Sequence, residues 1–385
     1  MPRVSSRNGH RPQPFASVEE VTSRLGDVGY LADRALATTV FLQARLGKPL
    51  LLEGPAGVGK TQLAKALAAA TGRPLLRLQC YEGQDETKAL YEWDYGKQML
   101  YTQILREKIA QIVADADDLA GAVEAIGAHD SVFFSERFLA ERPLLRAIRS
   151  PEPVVLLVDE VDRADEALEA VLLEMLAEYQ VSVPELGTFT AEHVPLVVLT
   201  SNNTRDLSAA LKRRCLHLFL GYPSAERELE IIRSKSTGLP DAVSGHLVDV
   251  VRGLREQGLR KPPGISEAID WARTLALLGA TEPDAGLLED TISVVAKYDR
   301  DVERALRVLP ALAEGERPAP APEPGGADSA DDPGTGAALR AARDTPGRHG
   351  AGYYGERTGS PAEPRRVSGS QGERSFVANH GRRTR

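Results

Sequence analysis

A glycine-rich turn between an apolar strand and a helix constrains this sequence more than any other stretch. The turn reads Gly54-Pro55-Ala56-Gly57-Val58-Gly59-Lys60-Thr61 and completes the spacing G-x-x-x-x-G-K-T. Its glycines allow the backbone to adopt positive φ and to bring N–H groups close to phosphate oxygens. In this pattern the lysine reaches the β and γ phosphates, and the threonine hydroxyl ligates Mg²⁺. The stretch therefore predicts a P-loop.

The residues on either side of this turn give the motif the context that it requires. Pro49 to Leu52 predict a strand, whereas Gln62 to Ala70 place their apolar residues on one face and predict a helix. A glycine-rich connection without a ligand is the alternative interpretation. The full match in this context favours phosphate binding.

Length and composition are typical of a soluble globular chain with two domains and a tail. The chain has 385 residues, of which 42% are hydrophobic, a net charge of −8 and two cysteines. The acidic balance disfavours nucleic acid as a partner, and two cysteines are too few for a disulfide framework or a cysteine-rich metal site. No apolar run approaches the roughly 18 residues of a membrane-spanning helix. We expect a cytoplasmic protein whose residues 1–15 form a disordered leader.

A second apolar strand ends in two acidic residues. Pro153 to Val158 is typical of a strand buried at the centre of a parallel sheet, and Asp159 and Glu160 follow it. At the carboxyl end of such a strand, we expect Asp159 to hold Mg²⁺ together with Thr61, and Glu160 to polarise an attacking water. Alternatively, the two acids cap the helix that follows.

Two later segments supply candidate groups for the same site. Val194 to Thr200 predicts another buried strand, and Asn202 after it is expected to hydrogen-bond the water or the γ phosphate, unless it only forms a turn. Arg213 and Arg214 precede a last predicted strand. They are either solvated surface charges or include an arginine finger that acts on a neighbouring subunit's nucleotide.

The hydrophobic patterns also divide the chain into regions. Residues 16–222 alternate predicted helices and strands, which indicates a parallel sheet between helices, and residues 223–312 are predicted to be all helical. Residues 313–385 are predicted to be a disordered Pro/Gly/Arg-rich tail, either a linker or a basic arm. Within residues 82–150, two helical tracts are expected around the aromatic patch 91–97. This patch is either a surface loop or hairpin, or an insertion that contacts a partner.

The apolar patterns also predict the buried residues of one helix and the bounds of another. The second of two helices within residues 16–48 is expected to bury Ala35 and Leu42 among its apolar residues. A single helix is predicted from Leu287 to Lys297.

These motifs, in this order, resemble those of the AAA+ ATPases, and within them the MoxR type, over about residues 28–312. The matching stretches are Gly54–Thr61 for Walker A, Val154–Glu160 for Walker B, the following Val161-Asp162-Arg163-Ala164, Thr200-Ser201-Asn202 for sensor 1, Arg214 for the arginine finger and Gly29-Tyr30 for the adenine contact. The resemblance implies a three-layer αβα P-loop NTPase core with a helical lid. It also implies ATP and Mg²⁺ as cofactors and a homo-oligomeric ring, expected to be a hexamer.

A narrower resemblance points to the CoxD-like branch of the MoxR type. It rests on Tyr81-Glu82-Gly83, Leu90 to Tyr95, Arg142 to Leu145 and Ile265 to Ala272. It implies a role in maturing the metal centre of a carbon monoxide dehydrogenase-type molybdenum enzyme, with a partner that carries a von Willebrand factor A domain. The chain departs from the pattern at Pro262-Pro263-Gly264, where MoxR proteins place a sensor 2 arginine. Either Arg260 or Lys261 substitutes for that arginine, or the contact is lost.

The sequence thus predicts an ATP-hydrolysing chaperone or remodelling factor. Two rivals remain at this stage: a clamp-loader-like ATPase that acts on DNA, which the acidic balance disfavours, and a nucleotide-gated binding module without turnover, which the Asp159-Glu160 pair disfavours.

Overall fold

The computed structural model describes residues 14–319, apart from positions 85, 105–135, 185 and 283. Its helices are, in chain order, α1 (Val18–Asp27), α2 (Arg34–Leu46), α3 (Lys60–Thr71), α4 (Glu86–Leu90), α5 (Tyr95–Ile104), α6 (Pro143–Arg149), α7 (Glu166–Glu178), α8 (Ala209–Arg214), α9 (Ala225–Ser234), α10 (Asp241–Arg255), α11 (Ile265–Leu277), α12 (Ala285–Asp290) and α13 (Asp299–Ala313). Its strands are β1 (Leu50–Glu53), β2 (Leu75–Gln79), β3 (Tyr91–Trp93), β4 (Leu139–Glu141), β5 (Val155–Asp159), β6 (Gln180–Val183), β7 (Gly187–Thr190), β8 (Leu196–Ser201) and β9 (Leu216–Phe219).

A five-stranded parallel sheet forms the centre of the N-terminal region, with strand order β2-β5-β8-β1-β9. The strands β1, β5 and β8 are buried along their whole length, as expected for central strands of a parallel sheet. In the register, Glu53 pairs with Ser201, and Gln79 pairs with Asp159. The polar residues that end these strands therefore meet at one edge of the sheet.

Helices cover both faces of this sheet because alternate strand residues point to opposite sides. On one face, Leu156 and Val158 pack with α6 and α7; on the other, Val155 and Leu157 pack with α1, α2 and α3. The predicted three-layer αβα arrangement is confirmed. The tail assigned to residues 313–385 lies almost entirely outside the described residues.

The N-terminal helices begin where the sequence offers capping side chains. Ser17 and Asp33 accept hydrogen bonds from the first turns of α1 and α2. Phe15 falls inside the predicted leader 1–15, but it is buried in the core beneath the Arg24 guanidinium. The expected burial of Ala35 and Leu42 is wrong, because both residues lie on the side of α2 opposite its buried face and are exposed.

The region 82–150 contains more strand than the sequence pattern predicts. The aromatic strand β3 pairs antiparallel with β4, and its Tyr91 and Trp93 rings meet edge to face at 6.0 Å. Of the two expected helical tracts, α5 and the short α4 and α6 are described, and positions 105–135 are not. Outside this region, β6 and β7 form a second antiparallel pair, and the two valines of β6 are buried in alternation with its polar residues.

The C-terminal helices α9 to α13 have a hydrophobic core of their own, centred on the fully buried Trp271. The predicted single helix from Leu287 to Lys297 is wrong, because α12 ends at Asp290 and a 3₁₀ turn follows. At the break, the Thr291 hydroxyl accepts the Trp271 indole N–H at 2.7 Å and donates to the Leu287 carbonyl at 2.7 Å. A β-branched residue bonded in this way is a weak helix former. The boundary at residues 222 and 223 stays a prediction.

Across the part of the chain that the structure describes, no helix is both long enough and apolar enough to cross a bilayer.

Candidate nucleotide site

The P-loop connects the end of β1 to the start of α3, and its backbone requires glycine. Gly54, Gly57 and Gly59 have φ angles of 149°, 77° and 96°. A Cβ on Gly54 would lie 2.0 Å from the carbonyl oxygen of Leu220, which follows the neighbouring strand β9. The loop therefore has both the dihedral angles and the close packing that a phosphate-binding backbone needs.

Lys60 is a buried cation that touches only neutral oxygens. Its side chain donates to the carbonyls of Gly54 and Pro55, both at 2.7 Å, and to the Asn202 side-chain oxygen at 2.9 Å. Burial lowers the pKa of Lys60, while the carboxylates of Asp162, Asp159 and Glu160 act in the opposite direction. An ammonium group surrounded by neutral oxygens is well placed to bind a phosphate, which would provide an anionic hydrogen-bond acceptor.

Thr61 and Asp159, the predicted metal ligands, lie in contact. The Thr61 hydroxyl donates to Asp159 Oδ1 at 2.9 Å, and the Thr200 hydroxyl donates to the same oxygen at 2.6 Å. The other oxygen, Oδ2, accepts from Arg77 at 2.7 Å. Among the described residues, no group of three or more acidic, His or Cys side chains is arranged to hold a metal ion. One carboxylate and one hydroxyl fit Mg²⁺, which keeps several waters and takes other ligands from substrate phosphates.

Sequence reasoning missed Arg77. It lies on β2, and only the strand order, with β2 beside β5, brings its guanidinium to Asp159. The sequence does not encode that order in any local signal.

Glu160 has an unusual backbone conformation directly after β5. Its φ of 55° and ψ of 50° are left-handed, a conformation that costs a residue other than glycine about 1–3 kcal/mol. Its N–H donates to the Thr200 hydroxyl at 2.9 Å, and its carboxylate pairs with Arg163 at 3.0 Å. The predicted water-polarising carboxylate is therefore at the edge of the site, held by an ion pair.

Asn202 follows β8 and lies in the same site. Beyond its contact with Lys60, its backbone N–H donates to Asp162 Oδ2 at 3.2 Å. Asp162 lies three residues after Asp159, within a stretch that the family resemblance covered, but no role was inferred for it.

A cavity of about 580 Å³ lies between the P-loop and the C-terminal helices. Gly29 and Tyr30, the predicted adenine contacts, line it together with Gly57, Gly59 and Lys235. The Lys235 ammonium donates to the Gly29 carbonyl at 2.6 Å. Burial raises the pKa of the Tyr30 hydroxyl, and the Asp33 carboxylate adds to the effect. The two predicted residues therefore line a space beside the P-loop, and their role stays a prediction.

The stretch that departs from the sensor 2 pattern packs directly on the P-loop. The Ile265 N–H donates to the Gly57 carbonyl at 2.9 Å, and a Cβ on Gly264 would lie 2.7 Å from Gly57 Cα. Arg260 stacks over Tyr298 at 4.6 Å, and Lys261 pairs with Glu267 at 3.5 Å. The start of the lid helix thus contacts the P-loop through backbone groups, and which residue serves as sensor 2 stays a prediction.

Arg213 and Arg214 end α8 and are exposed. Within the described residues neither forms an ion pair, whereas Lys212 of the same helix pairs with the buried Glu53 at 3.3 Å. The structure thus leaves both arginines accessible from outside the chain. Which of them acts as a finger stays a prediction.

The parallel sheet, the P-loop and the polar strand ends that meet beside it define a P-loop NTPase fold. Residues 49–215 match the family model of the AAA domain (dynein-related subfamily).

Three relatives are similar over most of the chain. The gas vesicle ATPase GvpN of Ancylobacter aquaticus is 26% identical, over 71% of this chain and 73% of that protein. Protein NorQ of Paracoccus denitrificans is 25% identical, over 69% and 87%. Protein CbbQ of Hydrogenophilus thermoluteolus is 25% identical, over 67% and 85%. A solved structure of a Thermotoga maritima RuvB mutant is only weakly similar, with 16% identity over 79% of this chain and 74% of that one and a TM-score of 0.38.

Proposed function

We propose that this chain is an ATP-hydrolysing AAA+ ATPase of the MoxR type that remodels or matures a client enzyme. The observation that carries the proposal is the constellation at the sheet edge: the buried Lys60 ammonium on neutral oxygens, with the Thr61 and Asp159 pair beside it. The AAA-domain match over residues 49–215 and the relative named as an ATPase support it.

Each residue has a distinct part in the proposed reaction. Lys60 binds the β and γ phosphates, and Thr61 and Asp159 hold Mg²⁺, which neutralises phosphate charge when it is bound. Glu160 orients and polarises the attacking water once its ion pair with Arg163 has broken. Asn202 contacts the γ phosphate, and Arg214 completes the site of a neighbouring subunit in a ring, which we propose is a hexamer.

We infer a molybdenum-hydroxylase client, similar to carbon monoxide dehydrogenase, and a partner with a von Willebrand factor A domain, in the cytoplasm. The support is the set of sequence stretches that resemble the CoxD-like branch. In one of these stretches the Trp271 ring is fully buried, so it serves to pack the hydrophobic core. Tyr81 and Tyr95 in the other stretches are exposed and accessible to a protein partner.

Glu160→Gln tests the hydrolysis step. The variant keeps the shape of the side chain and the metal pair but lacks the water-polarising carboxylate, so ATP should bind and persist, with turnover reduced by about 100-fold or more. Single-turnover hydrolysis and retained nucleotide are the measurements. Glu166→Gln, an exposed acid six residues further on, should hydrolyse ATP at the normal rate. Turnover of Glu160→Gln within a few fold of wild type would contradict the assignment of the base.

The same variant tests the client. Purified from native cells with ATP, Glu160→Gln should retain a molybdenum-containing hydroxylase that is absent when ADP replaces ATP. Stimulation of wild-type hydrolysis by DNA, with no such enzyme retained, would instead support the clamp-loader-like alternative.

A further inference from the structure

Asp162 is a buried carboxylate that lies after β5 and faces the loop that follows β8. It is 3% exposed and lies in the 3₁₀ turn after Glu160. Its Oδ2 accepts three hydrogen bonds: from the N–H groups of Asn202 at 3.2 Å and Thr204 at 3.0 Å, and from the Thr204 hydroxyl at 2.6 Å. A single oxygen thus holds three donors of one short segment, which fixes the path of residues 202–204.

The two oxygens of this carboxylate differ in their hydrogen bonding. Oδ1 is buried and has no hydrogen-bond partner within the described residues. Burial acts to raise the pKa of Asp162, but the hydrogen bonds from Thr204 and Asn202 outweigh it, so the pKa lies below the usual value and the group is charged. A buried charge with one unpartnered oxygen costs free energy. All three hydrogen bonds that Oδ2 accepts come from the segment Asn202–Thr204.

That segment leads directly to the nucleotide site. Asn202 uses its backbone N–H for Asp162 and its side-chain oxygen for the Lys60 ammonium at 2.9 Å. Asp162 is also the foremost of the three carboxylates that stabilise the charged form of Lys60. Asp162 therefore acts on Lys60 both through space and through the placement of Asn202.

We propose that Asp162 is a positioning residue, which holds the Asn202 side chain in register with Lys60 at the place of the γ phosphate. This inference rests on the proposed function, because it gives the chain a way to distinguish ATP from ADP at that site. Without the Asp162 anchor, the backbone of Asn202 is free to move. The contact of its amide with Lys60, and with a γ phosphate, is then lost.

A double-mutant cycle on the full chain tests the proposal. The variants are Asp162→Ala, Asn202→Ala and the pair together, with kcat for ATP and the separate affinities for ATP and ADP as readouts. We expect Asp162→Ala to weaken ATP binding about tenfold and ADP binding less than about twofold, and we expect the same of Asn202→Ala. In the Asn202→Ala background, Asp162→Ala should leave the ratio of ATP affinity to ADP affinity unchanged.

Two more variants separate positioning from general stability. Asp165→Ala removes the carboxylate that caps α7, so it should lower the melting temperature while leaving the ratio of ATP to ADP affinity unchanged. Asp162→Asn presents a carbonyl oxygen to the same donors and should recover most of the ATP affinity. If Asp162→Ala does not fold, Asp162→Ser takes its place in the cycle.

Additive losses in the cycle, or equal weakening of ATP and ADP binding by Asp162→Ala, would overturn the inference. The proposed function fails by a different result, the absence of ATP hydrolysis by wild type. Nucleotide affinities still test Asp162 in that case, because they do not depend on turnover.

Discussion

At the scale of the residue, Lys60 combines a large desolvation cost with contacts that only partly offset it. The side chain is buried, burial lowers its pKa, and its three direct partners are neutral oxygens. A triphosphate offers this ammonium charged hydrogen bonds, which are stronger than those to its neutral protein partners. Binding energy at this position therefore depends on one cation.

Lys60→Ala should abolish nucleotide binding, because it leaves a cradle of backbone dipoles without a point charge. We expect ATP affinity to fall by about 100-fold or more, measured by titration with a fluorescent nucleotide. Lys65→Ala, on the exposed side of the same helix, is the matched control and should bind normally. Affinity near that of wild type in Lys60→Ala would refute the P-loop assignment.

At the scale of the element, the start of α11 packs on the P-loop through a close backbone contact. Gly264 has an ordinary φ of −83°, so replacing it introduces no dihedral strain. Its absent side chain leaves room for the Gly57 backbone, with a Cβ-to-Cα distance of only 2.7 Å after substitution. Contacts this short do not occur without movement of one element.

Gly264→Ala should push the lid helix away from the P-loop and weaken the Ile265 to Gly57 hydrogen bond. We expect nucleotide affinity to fall about tenfold and the free energy of unfolding to fall by about 1–3 kcal/mol. Isothermal titration and denaturant unfolding measure the two effects. Gly245→Ala is the control, because a Cβ there meets nothing within 4 Å in the middle of α10. That change should instead stabilise the fold by about 0.5–1 kcal/mol. Equal behaviour of the two variants would mean that lid docking does not matter for binding.

At the scale of the whole molecule, we propose that a neighbouring subunit completes the γ-phosphate side of the site. Glu160 is paired with Arg163, and the exposed Arg213 and Arg214 end a helix whose first turn is tied to α7 through Ser208 and Glu169. A rigidly held helix with exposed terminal arginines suits the arginine finger of a neighbouring subunit.

Mixed rings test this arrangement. Arg214→Ala and Glu160→Gln proteins, each nearly inactive alone, should regain hydrolysis when mixed, because some interfaces then pair an intact Glu160 site with an intact Arg214. A finger arginine contributes about 10³ to 10⁵ in rate, so a minority of restored interfaces is measurable in a steady-state ATPase assay.

The control for this experiment is a demonstration of subunit exchange, together with a titration of wild-type subunits into each variant. Arg213→Ala is the comparison variant and should retain activity. If Arg214→Ala hydrolysed ATP at the normal rate by itself, the finger assignment would fail and Arg213 would be the residue to test.

Local sequence was sufficient to predict several features because their physics is local. The spacing of Gly54 to Thr61 requires a tight turn with positive φ, and the apolar runs before Asp159 and Asn202 form buried strands whatever their order in the sheet. The three-layer fold and the helical C-terminal region follow from these periodicities. Helix boundaries were less well predicted where a tertiary contact intervened, as at Thr291.

Only the tertiary structure decided which residues meet across the chain. Arg77 reaches Asp159 because β2 lies beside β5, and Asp162 reaches Asn202 because β8 lies on the other side of β5. Gly264 reaches Gly57 because the lid folds back on the P-loop. Strand order and lid docking come from the sum of many weak, long-range contacts, and no short stretch of sequence carries that sum. Local motifs therefore predict the candidate residues of the site, whereas the fold decides which side chains and backbone groups hold these residues in place.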